Sequence, residues 1–129
     1  MEIPSLSLSV SYGGGVFAET LDKGPGHWPG TPAPGSSGNA VISGHRNTHT
    51  RPFKELDELD PGDKIITSYE DRDPVTFEVV KTTIVPEAEY RDFVLRQPTD
   101  ATARELTLFA CHPEGNPVFR IVVEARAQR

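Results

Sequence analysis

A single cysteine in 129 residues rules out an internal disulfide. Cys111 is therefore a buried structural thiol, a lone metal ligand, an intermolecular crosslink or a nucleophile. No apolar run approaches the roughly 20 residues that a bilayer-spanning helix needs. The opening MEIPSLSLSV has neither the basic segment nor the long apolar stretch of a signal peptide. Because Met1 stands directly against the first strand-like pattern, we expect a chain from which a native N-terminal membrane anchor has been removed. Positive charge is also in short supply. The 13 Lys plus Arg face 19 Asp plus Glu, a net charge of −6, which disfavours nucleic acid or an anionic membrane surface as partner. Basic partners or neutral peptides fit better. Internal repeats and low-complexity tracts are missing, and no βαβ alternation suggests a parallel sheet, so an antiparallel sheet or closed barrel is the economical fold.

The composition that is present, 36% hydrophobic and 25% charged residues, belongs to a folded chain of one ordinary domain; we take residues 1–129 as that domain. Leu6, Leu8 and Val10 alternate with serines, the period of a half-buried strand, and Gly13-Gly14-Gly15 follows as a break. Residues 23–38, KGPGHWPGTPAPGSSG, are too rich in Gly and Pro for regular structure. The run AVIS at 40–43 reads as a short buried strand ending at Gly44 and delivering His45. In PFKELDEL, Phe53, Leu56 and Leu59 recur at i, i+3, i+6 behind a proline and predict a short helix. KIITSY and VTFEVVKTTIV predict a hairpin around EDRDP. PEAEYRDFVL is ambiguous between helix and loop and is read as a connection. ELTLFAC at 105–111 and FRIVVEAR at 119–126 read as two strands joined by HPEGNPV.

Strand alternation puts Thr107, Phe109 and Cys111 on one face and Leu106, Leu108 and Ala110 on the other. If the last two strands pair antiparallel, Arg120 lies near Cys111 across the ladder. A guanidinium there favours thiolate, and its fixed fork of donors can hold a substrate carbonyl or an oxyanion. Thiol catalysis also needs an imidazole to manage protons. His45, after a buried strand, is the best placed. His49 lies in a polar loop, His27 in the Pro/Gly loop, and His112, if the strand continues through it, points to the face opposite Cys111.

These stretches resemble consecutive landmarks of the sortase family, most closely its actinobacterial class E. The landmarks are HWPGT at 27–31, GNAVISGHR at 38–46, PFKELDELDPGD at 52–63, LTLFACHP at 106–113 and RIVV at 120–123. The resemblance implies an eight-stranded antiparallel sortase β-barrel with short helices in its loops, and catalytic roles for His45, Cys111 and Arg120. It implies that Cys111 attacks the threonine carbonyl of an LPxTG-like or LAxTG-like sorting signal, releases the glycine side and holds the acyl group as a thioester. An amine from a peptidoglycan precursor or a pilin lysine then takes the acyl group. No cofactor is implied, and the setting would be the outer face of a bacterial membrane. Phe109, Ala110 and His49 fall at substrate-contacting positions. Two of these are departures: Ala110 stands where the family usually has threonine, and His49 where class E members often carry tyrosine, so pentapeptide preference does not carry over.

Other readings fare worse. A zinc site from His45, His49, Cys111 and His112 lacks a CxxC pair, and adjacent strand residues face opposite ways; we expect no metal. DELDPGD lacks the ligand spacing of an EF-hand. L,D-transpeptidases carry SHGC where this chain has FACHP, and papain-like enzymes place cysteine before histidine, the reverse of the order here. From a different class, a β-barrel interaction module that has lost catalysis stays open on the strength of Ala110, and thiol reactivity separates it from the enzyme.

Overall fold

A computed structural model describes residues 1–14, 25–44, 53, 55–68, 73–112 and 119–127, with the backbone alone at Cys111 and His112. Among these residues nine strands form one sheet: β1 (Glu2–Ile3), β2 (Leu8–Ser9), β3 (Gly13–Gly14), β4 (Gly26–His27), β5 (Gly38–Ser43), β6 (Lys64–Thr67), β7 (Val75–Pro86), β8 (Arg104–His112) and β9 (Phe119–Ala127). Their spatial order is β2-β1-β6-β7-β9-β8-β5-β4-β3. Among the described residues one short helix, α1 (Tyr90–Val94), follows a 3-10 turn at Glu87–Glu89. The all-β class expected from sequence holds: the nine strands among the described residues curl into a half-barrel.

Not every pairing is antiparallel. β5 runs parallel to β8 from Gly38↔Arg104 to Ser43↔Phe109, and β3 runs parallel to β4. Parallel neighbours need a long crossover, and the chain between β5 and β8 supplies one by building β6, β7 and α1. Strand periodicity carries no information on direction, so this pairing is not visible in the sequence. The expected hairpin is present as β6 against β7, and β8 pairs antiparallel with β9.

Central strands are covered on both faces, as expected of near-continuous apolar runs. One face carries the larger core, including Ile42, Phe53, Leu56, Ile65, Phe77, Leu106, Leu108, Ala110, Ile121 and Val123. The other carries Val41, Val85, Val94, Phe109 and Val122, roofed by Trp28, Tyr90, Phe93 and Leu95. Each Val, Leu, Ile or Phe side chain among them contributes about 1.5–3 kcal/mol when fully buried.

Local structure departs from the sequence expectations at two places. The first alternating stretch is not one strand: a 3-10 turn at Pro4–Leu6 and left-handed Ser7 (φ 53°) fold it into the β1–β2 hairpin. The helix expected at 52–59 is a 3-10 turn at Leu56–Glu58, with Pro52 and Lys54 outside the described residues. Phe53, Leu56 and Leu59 are all buried, and their strict three-residue spacing suits a 3-10 period better than 3.6.

Candidate active site

Two of the residues of interest, Cys111 and Arg120, meet where the end of β8 pairs with the start of β9. In the β8–β9 ladder Cys111 is the direct register partner of Arg120. Directly opposed Cα atoms of an antiparallel pair lie about 4.5–5.5 Å apart. On the other side of β8, Ser43 pairs with Phe109 and the Gly44 N–H donates to the Phe109 carbonyl (3.2 Å). β5 therefore stays zipped to β8 up to Gly44, the residue before His45. His45 and His49 themselves lie outside the described residues.

The Arg120 side chain is only 15% exposed. Its Nη1 donates to the Phe119 carbonyl (3.3 Å), its Nη2 lies 4.0 Å from Glu87 Oε1, and its Cζ sits over the Tyr90 ring, 4.7 Å from the centroid. Tyr90 also packs on Phe109, centroids 5.4 Å apart, and Phe109 packs on Trp28 at 5.9 Å. Arg120 thus stands on a continuous aromatic bed. Arg91 Cζ also lies over the Tyr90 ring, 6.0 Å from the centroid, and a side-chain hydrogen bond with Tyr90 is the first cause raising its pKa.

A polar latch keeps α1 over this face. Asn39 at the start of β5 is 4% exposed. Its Nδ2 donates to the carbonyls of Val94 and Arg96 (both 2.9 Å), and its Oδ1 accepts from the Thr107 hydroxyl (2.7 Å). The Asn39 N–H donates to Gln97 Oε1 (2.9 Å), and Gln97 Nε2 donates to the Asn39 carbonyl (3.1 Å). Gly38 makes this approach possible: a Cβ there would stand 2.7 Å from Pro32 Cγ and 3.0 Å from Gln97 Oε1, at a φ of +105°. Further along the same face, away from Cys111, a cavity of about 410 Å³ is lined by Asn39, Lys81, Arg96, Glu105, Glu124 and Arg126. Its charges are paired among themselves, Arg96 and Lys81 with Glu124 and Arg126 with Glu105.

Of the residues expected at the substrate, Phe109 is 4% exposed beneath Trp28 and Tyr90, a wall of the face that carries Arg120. Ala110 is 2% exposed, with its side chain in the larger core on the opposite face, so it presents no side chain to the face that carries Arg120. His27 is occupied structurally: its Nε2 donates to the Pro32 carbonyl (2.8 Å) and lies 2.9 Å from Thr31 Oγ1. The Trp28 N–H donates to the Val41 carbonyl (2.8 Å), tying the HWPGT turn to β5. Among the described residues no group of three His, Cys, Asp or Glu could hold a metal ion. Tyr90, Glu87 and the Asn39 latch were not foreseen. PEAEYRDFVL carries no clear period, and the latch joins residues 55 to 68 positions apart.

The chain is a mostly β half-barrel in which the end of β8 sets Cys111 opposite Arg120 of β9. The sortase domain family matches residues 1–128, and the chain belongs to the sortase family. It is 33% identical over 128 residues to Sortase D of Bacillus subtilis, covering 95% of this chain and 60% of that protein. It is 29% identical over 136 residues to Sortase SrtE1 of Streptomyces coelicolor, covering 95% of this chain and 38% of that protein. The chain therefore spans less than two thirds of either curated relative. Among solved structures, sortase C-1 from Actinomyces oris superposes with a TM-score of 0.87 at 29% identity, over 99% of this chain and 71% of that one. A Clostridium perfringens Sortase D5 transpeptidase gives 0.85 at 26% identity, over 99% and 76%. The two curated relatives carry different class letters at similar identity, so the assignment is to the family.

Proposed function

We propose that residues 1–129 form a single catalytic domain of a cysteine transpeptidase, with Cys111 as nucleophile, His45 as proton-transfer partner and Arg120 as the donor to the oxyanion or substrate carbonyl. The observation that carries this reading is the direct pairing of Cys111 with Arg120 at the end of the β8–β9 ladder. The zipped β5–β8 seam that leads to Gly44 supports the place given to His45. In the first half-reaction the Cys111 thiolate adds to the carbonyl of threonine in an LPxTG-like or LAxTG-like signal. The Arg120 fork stabilises the oxyanion that forms. Collapse breaks the Thr–Gly amide, His45 protonates the departing amine, and a thioester remains. In the second, an amine attacks the thioester, gives up a proton to His45 and expels the Cys111 thiolate.

The substrates are proteins bearing such a signal, and the acceptor is an amine such as a peptidoglycan precursor or a pilin lysine. The site of action is the outer face of a bacterial membrane, reached through an N-terminal anchor. No helix among the described residues is long and apolar enough to cross a membrane. Ala110 does not argue for an inactive barrel, because its side chain occupies a packing position. The test is amine exchange on LPxTG and LAxTG peptides with a glycine-based amine, followed by chromatography. Wild type forms exchanged product, Cys111→Ala and His45→Ala form none, and Arg120→Ala forms it about a hundredfold to a thousandfold more slowly. Exchange that survives Cys111→Ala would sink the reading.

A further inference from the structure

The Arg120 guanidinium is held by more than its own strand. Tyr90 lies under it, Glu87 is at its Nη2, and the Phe119 carbonyl accepts from its Nη1. Tyr90 and Glu87 both come from the turn and helix between β7 and β8, not from the ladder that sets Cys111 against Arg120. A guanidinium is planar and donates only in its plane, so its usefulness to an oxyanion depends on how that plane is oriented. An aromatic ring attracts the cation through its face and leaves the donor edge for directed hydrogen bonds. The Tyr90 ring is fixed in turn: it packs on Phe109, which packs on Trp28, and α1 is pinned to the sheet by Asn39. We propose that Tyr90 is a positioning residue for Arg120: its ring face sets the plane of the guanidinium and Glu87 sets the rotation within that plane. Tyr90 then acts on acyl transfer only through Arg120. The inference rests on the transpeptidase reading and adds to it the part that aims the oxyanion donor.

The test is a mutant cycle on peptide exchange combining Tyr90→Leu, Tyr90→Phe and Arg120→Ala. Tyr90→Leu is expected to lower kcat by about tenfold or more with KM held within about twofold, since a misaimed donor costs the transition state more than the ground state. Tyr90→Phe, which keeps the ring face, restores the rate to within about threefold of wild type. In the Arg120→Ala background Tyr90→Leu has no further effect, because the group it positions is gone. Equal losses from Tyr90→Leu with and without Arg120, or a Tyr90→Phe loss as large as Tyr90→Leu, overturn the proposal. A wild type without exchange activity defeats the transpeptidase reading instead. The positioning is then decided by the Arg120 Nε–H resonance, assigned by its loss in Arg120→Ala. The Tyr90 ring current shifts it in wild type, and the shift is absent from Tyr90→Leu. A resonance insensitive to Tyr90→Leu contradicts the positioning whatever the enzymology. Should Tyr90→Leu fail to fold, Tyr90→Phe and Glu87→Gln carry the same resonance test, with the shift kept in the first and the line broadened in the second; the reverse pattern overturns it.

Discussion

Arg120 and Lys differ at this position in geometry rather than charge. A lysine ammonium keeps the cation but not the planar fork that can meet two acceptors at once. Arg120→Lys is therefore expected to lower kcat for exchange by about a hundredfold in a protein whose circular dichroism is unchanged; a loss under twofold would remove Arg120 from the oxyanion role. Asn39 is the residue on which the α1 face depends. Truncating it leaves the Thr107 hydroxyl and the carbonyls of Val94 and Arg96 without their partner. Asn39→Ala should cost about 2–4 kcal/mol in urea unfolding. The Cys111–Arg120 pairing was legible from sequence because strand alternation and a Pro/Gly-containing loop suffice to place two strand ends together. Asn39 was not, since nothing in a polar residue beside Gly38 announces partners in another element.

Elements determine how the strand ends come together. Gly44 closes the β5–β8 seam just before His45, and a Cβ there would stand 2.7 Å from Phe53 Cδ2. Phe53 is fully buried, so it has little room to yield. Gly44→Ala should destabilise by about 1–3 kcal/mol, seen as a lowered thermal midpoint, and reduce exchange through displacement of the residue that follows. By contrast, the cross-strand pair Lys64–Glu78 (2.9 Å) joins side chains that are 47% and 38% exposed. Lys64→Ala should move stability by less than about 1 kcal/mol in the same unfolding experiment. Strand identities from β5 to β9 were readable as apolar and β-branched runs. The parallel direction of β5 against β8 was not, because it is decided by the crossover that intervenes. The 3-10 turn at Leu56 shows a subtler limit, where the burial pattern was correct and the period assigned to it was not.

At the scale of the whole molecule, a sheet covered on both faces carries the paired Cys111 and Arg120 at one end of its central strands β8 and β9, with the larger core on one face and the smaller aromatic core beneath Arg120 on the other. The family match across residues 1–128 and the superposition with Actinomyces oris sortase C-1 agree with that fold. The net charge of −6 points away from nucleic acid. The most direct test of the central claim is intact-mass analysis of wild type and Cys111→Ala after incubation with LPxTG and LAxTG peptides. We predict that wild type gains the mass of the acyl fragment ending in threonine, mapped to Cys111, and that Cys111→Ala gains none. A wild type that stays unmodified across the peptide panel, with a thiol inert to alkylation, would contradict the account.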